Sequence, residues 1–222
     1  MRALLVGAAP VSGSASLLTT LTAEVDVVIA VDGGGSLCLE AGVVPGIVVG
    51  DFDSLPPADE DRLRELGSVL RRFPAEKDAS DLELAVAEAR TLGATSVVVT
   101  AAASGRLDHT MTAIAVLAAA SDLQTRLVEP SLQVWVLSPE GARSLTLLGS
   151  GATISLLAFG GDAVVSASGV VWGLEEAALS PTSSLGLSNR IGAGGTAHVC
   201  VSEGVVLVFA PRVEGSPCAQ GR

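Results

Sequence analysis

At 222 residues and 49% hydrophobic, the chain is long enough for one large domain or two small ones. Only 17% of its residues are charged and 3% are aromatic, which excludes a mostly disordered chain and leaves Val, Leu, Ile and Ala to fill the core. The net charge of −11 argues against holding nucleic acid by general charge attraction, although carboxylates remain compatible with phosphate ligands when a divalent cation inverts the local charge.

Arg2 and the uncharged stretch that follows it faintly resemble a targeting segment. The strongest apolar run stops near Ala9, however, and Pro10, Ser12, Gly13 and Ser14 follow, so a buried first strand and a loop are expected instead. Buried β-branched runs at 3–6, 27–31, 47–49 and 96–100 alternate with helical patterns at about 35–42, 58–67, 80–92 and 107–120. This rhythm predicts an α/β N-terminal domain with a mostly parallel sheet. From about residue 125 the pattern changes to short strands with turn signals, at 133–137, 144–148, 153–158, 163–168, 197–201 and 205–209. An all-β sandwich domain is expected there. The uncharged stretch 144–161 is cut by Gly149-Ser150-Gly151 and reads as two strands and a turn, with no membrane span. The expected domains are 1–122 and 123–212, joined near 121–125, with a loose tail at 213–222. Cys38, Cys200 and Cys218 are odd in number and widely spaced, which fits reduced cytoplasmic thiols better than a disulfide framework or a zinc site.

In an open parallel sheet, ligands bind beyond the carboxyl ends of the strands. The polar clusters fall there: Asp32-Gly33-Gly34-Gly35 after the second strand, Gly50-Asp51-Phe52-Asp53-Ser54 after the third, and Ser104-Gly105-Arg106-Leu107-Asp108-His109 after the 96–100 strand. Asp51 and Asp53, two apart in an extended segment, can turn both carboxylates toward one cation. Taken singly, each aspartate could equally close a turn or cap a helix. Ser80 with Glu83 has the spacing of a capping box, but capping accounts less well for Lys77, Asp78 and Asp81 together, and a helix N-terminus can also receive a metal–phosphate group. Gly105-Arg106 could bring a guanidinium fork to phosphate oxygens or could be a turn with a solvated arginine. Lys77 is the only lysine, so any other fixed cation at a phosphate must be an arginine. His109 reads as a helix residue and His198 as structural. Trp172 sits between Gly169 and Gly173, open enough to stack a flat ligand although a sandwich tryptophan is usually core; Ser188-Asn189 ends a polar loop.

In this order the clusters resemble the thiamine pyrophosphokinase family. The matching pieces are Asp32-Gly33-Gly34, Gly50-Asp51-Phe52-Asp53-Ser54, Lys77-Asp78-x-Ser80-Asp81-Leu82-Glu83, Gly105-Arg106-Leu107-Asp108-His109, Ser168-Gly169-Val170-x-Trp172-x-Leu174 and Ser188-Asn189. The resemblance implies transfer of pyrophosphate from ATP to thiamine, with Mg²⁺ held by Asp51, Asp53 and Asp81. It implies ATP contacts from Asp32, Gly33, Asp78, Arg106 and Asp108, with Arg106 also counted among the catalytic residues. It places Trp172, Ser188 and Asn189 at thiamine, and implies a homodimer with active sites at the subunit interface and no nucleic-acid or membrane partner. Two positions depart from the family pattern: Ser104 stands where a glycine is common and Ala113 where an asparagine is. The rival expectations are a pyrophosphokinase for another heterocyclic alcohol, such as a pterin, and a non-catalytic thiamine- or nucleotide-binding module.

Overall fold

A computed structural model describes residues 1–103 and 105–212; Ser104 and the expected tail at 213–222 lie outside the described residues. The chain separates into two compact units, Met1–Val116 with Leu127–Pro130, and Leu117–Arg126 with the chain from Ser131 onward. Among the described residues no helix is long and apolar enough to cross a membrane.

In the first unit, β1 (Arg2–Val6), β2 (Val27–Val31), β3 (Ile47–Gly50), β4 (Val69–Arg72) and β5 (Ser96–Thr100) lie in the order β5-β1-β2-β3-β4, and every pair is parallel. All of these except β4 are buried along nearly their whole length, as strands covered on both faces must be. The order reverses at β1, and open parallel sheets take their ligands at the carboxyl edge beside such a reversal.

The helices are α1 (Ser14–Thr22), α2 (Gly34–Glu40), α3 (Pro57–Glu65), α4 (Asp81–Thr91) and α5 (Leu107–Ala119). Leu17, Leu18 and Leu21 of α1, with Leu37 of α2 and Leu63 of α3, pack with Leu4, Val6 and Val48 in one core cluster. Burying one such leucine contributes about 1.5–3 kcal/mol. Helix α3 starts with Pro57 in its first turn, carries Asp59 and Glu60 there and ends with Arg62 and Arg64, charges that complement its dipole. Helix α4 begins with the expected capping box: the Glu83 amide donates to Ser80 Oγ at 3.3 Å, and the Ser80 amide donates to Glu83 Oε2 at 2.7 Å. Gly34 opens α2 against the end of β1; a Cβ there would lie 2.0 Å from the Val6 carbonyl oxygen, so only glycine fits.

Two elements of this unit differ from the sequence expectation. The segment expected as loop after the first strand contains α1, whose Ser- and Thr-rich sequence hides an apolar face at Leu17, Leu18 and Leu21. The unexpected β4, with the sequence Val-Leu-Arg-Arg, is an edge strand bonded only to β3 and largely exposed, so it lacks a buried apolar run. A short strand, β6 (Gln124–Val128), occupies the expected junction.

The second unit is an antiparallel sandwich, as its strand rhythm indicates. Strands β7 (Leu132–Leu137), β9 (Thr153–Ala158), β12 (Asn189–Arg190) and β14 (Val206–Pro211) run in the order β12-β9-β14-β7. Strands β8 (Ser144–Leu148), β10 (Ala163–Ser168), β11 (Leu174–Leu179) and β13 (Thr196–Glu203) form a separate sheet in the order β11-β10-β13-β8. All pairs in both are antiparallel. Residues alternate inward and outward along β8, β9, β10 and β13. Their inward side chains, among them Leu145, Leu156, Val165 and Val199, share one core with Val206 and Val208 of β14.

Candidate functional site

Strands β2 and β3 end side by side, and the chain makes a left-handed step just after each. Asp32 has φ +50° and Phe52 φ +68°, conformations that a short polar residue such as Asp tolerates and Phe adopts only under constraint. The Asp32 amide donates to the Val49 carbonyl at 2.8 Å, tying the two turns together. Glycine suits position 50 between them, at φ +157° and with room for a Cβ only 3.0 Å from Asp32 Cβ.

These turns gather three carboxylates. One oxygen from each of Asp32, Asp51 and Asp53 lies within 4.8 Å of the others. Asp32 is 8% exposed; its Oδ2 accepts from the Ser54 hydroxyl, while its Oδ1 is enclosed with no hydrogen-bond partner among the described residues. The same Ser54 hydroxyl accepts the Gly33 amide at 3.0 Å. Asp51 Oδ1 accepts the Asp53 amide at 3.1 Å, so the turn-closing role that the sequence allowed is real and coexists with the cluster. Asp53 is exposed. The charges of Asp51 and then Asp32 push its carboxyl above its ordinary value, with Asp81 adding less. Like charges this close, one with an enclosed and unpaired oxygen, fit a divalent cation bound by oxygen ligands.

Asp81 is set slightly apart from the trio. Lys77 Nζ lies 3.2 Å from Asp81 Oδ1 and 3.7 Å from Asp51 Oδ2, and it also donates to the Pro74 carbonyl at 3.1 Å. Burial raises the Asp81 carboxyl, Lys77 opposes this, and Asp51 and Asp32 add to it. Burial alone would lower the Lys77 ammonium, but Asp81 and Asp51 outweigh it and hold it above its ordinary value. The close set is therefore Asp32, Asp51 and Asp53, with Asp81 joined to Asp51 through the lysine. Asp78 is exposed in the loop before α4.

Arg72, which sequence reasoning passed over, braces this corner. Its Nη1 donates to the Asp51 carbonyl at 2.8 Å, its Nη2 to Glu60 Oε2 at 2.7 Å, and the guanidinium stacks 4.5 Å from the Phe52 ring centre. Arginine at the end of an unrecognised edge strand gave no sequence signal.

At the end of β5, Arg106 and Asp108 are both exposed and paired, Nη2 to Oδ2 at 2.7 Å and Nε to Oδ1 at 3.3 Å. The preceding loop is held by another residue that sequence reasoning missed. Glu129 is 4% exposed, and its carboxylate accepts the amides of Ala101 at 3.3 Å, Ala102 at 2.9 Å and Ala103 at 3.0 Å. A lone acid before a proline carried no recognisable pattern.

In the second unit, Trp172 is 55% exposed and lies in the turn between β10 and β11. Asn189, only 3% exposed, holds that turn: Oδ1 accepts the Trp172 amide at 3.2 Å and Nδ2 donates to the Trp172 carbonyl at 2.7 Å. The buried side-chain amide thus ties down the backbone that carries the indole. The Arg190 guanidinium lies 5.8 Å from the ring centre. Ser188 has φ +57°, and its amide donates to Ser155 Oγ at 3.1 Å. Val171, Leu185 and Leu187 are also more than half exposed.

With this geometry in view, two family models match the chain: "Thiamin pyrophosphokinase, catalytic domain" over residues 18–128 and "Thiamin pyrophosphokinase, vitamin B1 binding domain" over residues 143–206. A thiamine pyrophosphokinase of Bacillus subtilis is 30% identical over 124 residues, a stretch that covers 55% of this chain and 58% of that protein. The crystal structure of thiamine pyrophosphokinase from Bacillus subtilis matches with a TM-score of 0.80 at 21% identity, covering 96% of this chain and all of that one. A thiamin pyrophosphokinase structure from Geobacillus thermodenitrificans gives 0.78 at 24%, covering 97% and 99%, and one from yeast gives 0.74 at 14%, covering 95% and 86%. At these identities the structural likeness is one of fold.

Proposed function

This chain belongs to the thiamin pyrophosphokinase family, and from that premise we propose that it transfers the pyrophosphoryl group of ATP to the hydroxyl of thiamine, giving thiamine diphosphate and AMP. The observation that carries the reading is the carboxylate trio of Asp32, Asp51 and Asp53 at the sheet's carboxyl edge. Mg²⁺, when bound there, supplies positive charge against the phosphate chain. Asp51 and Asp53 hold it, Asp32 offers its enclosed oxygen, and Asp81 contributes from beside Lys77.

The thiamine hydroxyl oxygen bonds to the β-phosphorus, the bond from that phosphorus to the bridging α–β oxygen breaks, AMP leaves with that oxygen, and the hydroxyl proton passes to solvent. Such transfers depend mainly on positioning and charge. Arg106 exchanges its Asp108 partner for phosphate oxygens, while Gly33, Asp78 and Asp108 line the nucleotide side. Trp172 stacks on the thiamine pyrimidine, with Asn189 fixing its backbone and Ser188 beside it. The first unit thus serves nucleotide and metal, and the second serves thiamine. We further infer a homodimer with its active sites at the subunit interface, which gives the exposed Trp172, Leu185 and Leu187 a cover. The free thiols Cys38 and Cys200 suit a cytoplasmic enzyme.

The test is incubation of the purified protein with ATP, Mg²⁺ and thiamine. Equal amounts of AMP and thiamine diphosphate are expected. ADP with thiamine monophosphate, turnover of a pterin alcohol in preference to thiamine, or binding without turnover would overturn the reading.

A further inference from the structure

We propose that Glu129 is a positioning residue for the phosphate-side loop, clamping three consecutive backbone amides so that Arg106 starts from a fixed point. The inference rests on the reading of Arg106 given above. Consecutive amides that converge form a concavity suited to an anion. Here the anion is the protein's own: Glu129 Oε1 accepts from Ala102 and Ala103 at 2.9 and 3.0 Å, and Oε2 accepts from Ala101 at 3.3 Å.

Three features set this apart from an ordinary turn closure. The carboxylate is almost wholly buried, and burial pushes its carboxyl up while the three amides oppose that shift. A neutral side chain or a water could satisfy such amides at a smaller desolvation penalty, so a buried carboxylate suits a need for stiffness. Second, Ala101 is held at φ +54°, a conformation alanine does not choose freely, and Glu129 bonds to that residue and the two after it. Third, the Ala101 carbonyl accepts the Ala9 amide at 2.8 Å, so the clamp joins the loop after β5 to the loop after β1. These three amides are already engaged and not free for an incoming phosphate, which on the reading above falls to Arg106.

The experiment compares wild type, Glu129→Gln, Arg106→Ala and the double variant. Glutamine keeps the shape but turns an NH₂ group toward an amide that needs an acceptor. For Glu129→Gln, kcat/KM for ATP should fall about ten- to a hundredfold, the effect of a displacement of roughly 1 Å, with KM for thiamine within about twofold of wild type. The double variant should lose no more than Arg106→Ala alone, because both act through one guanidinium. Additive losses, equal effects on both substrates, or an unchanged kcat/KM would overturn the proposal. Two readouts need no turnover, and the first of them needs no variant. Hydrogen exchange at the Ala101–Ala103 amides of wild type should be slow, and exchange at the rate of an open loop would overturn the clamp. Calorimetric ATP binding to wild type should weaken in Arg106→Ala; if it does not, the proposal falls even where turnover is absent. A wild type that binds ATP but makes no thiamine diphosphate sinks the proposed function instead.

Discussion

Asp53 is surrounded by charges of its own sign, while Trp172 is surrounded by open surface, and the two are held by opposite means. In the first unit, left-handed turns and the Arg72 brace hold carboxylates together against their mutual repulsion. In the second, one buried amide fixes a backbone turn so that a large apolar ring stays in solvent. Both arrangements are unfavourable without a ligand, the first electrostatically and the second through unburied apolar area. Each therefore suits a different kind of ligand: oxygen-bound positive charge in one, a flat apolar surface in the other.

The largest expected effect would break the first half of this contrast. Asp53→Ala should lower turnover by about 10²–10⁴-fold, as the loss of one electrostatic stabiliser does. Asp53→Asn, tested without metal, should be no less heat-stable than wild type because it removes repulsion, yet it should lose the rise in Tm that Mg²⁺ confers. A variant that keeps both turnover and that rise would refute the metal role.

Next in size, Trp172→Ala should raise KM for thiamine by about tenfold, the scale of one lost aromatic stack, and leave KM for ATP unchanged. Its Tm should barely move, since the ring is mostly exposed. Asn189→Ala sharpens the same point from behind. It strips partners from the Trp172 amide and carbonyl and should cost about 1–3 kcal/mol in urea unfolding, with a weaker thiamine KM as a by-product. Stability loss in the tryptophan variant and none in the asparagine variant would reverse the assigned roles.

The smallest effect concerns the start of α4. Hydrogen bonds from the Ser80 amide and hydroxyl hold the Glu83 carboxyl below its ordinary value. A lowered folded value means that this stabilisation is complete above the unfolded value of about 4.3 and is lost as pH falls through the folded one. Urea unfolding of wild type and Glu83→Gln should therefore converge in acid and separate above it. Curves separated by the same amount at every pH would show that the cap contributes no ionic part.

The parallel strands were legible because they are apolar along their whole length, and the sandwich because its strands alternate. Helix α1 was not, since Ser and Thr at most of its outward positions mask the three leucines that define its face. Strand β4 was not, because an exposed edge strand carries arginines without penalty. At the site, the Asp51 and Asp53 spacing revealed a shared direction, and Asp32 was placed nearby by sheet topology alone. The interposition of Lys77 between Asp51 and Asp81 was hidden, because it depends on how the loop before α4 lies against the end of β3. Glu129 was hidden for the same reason, its meaning residing in amides some 26 to 28 residues away in the chain. Asn189 was picked out as a polar residue near the ligand, but its burial against the tryptophan backbone belongs to tertiary packing.

The solitary lysine makes the acidic corner chemically addressable. An amine-directed acylating reagent finds one side-chain target in the whole sequence, Lys77. Flanked by two carboxylates, that amine stays protonated and reacts slowly. The labelling rate at this one nitrogen thus reports on the two carboxylates beside it without any engineered probe.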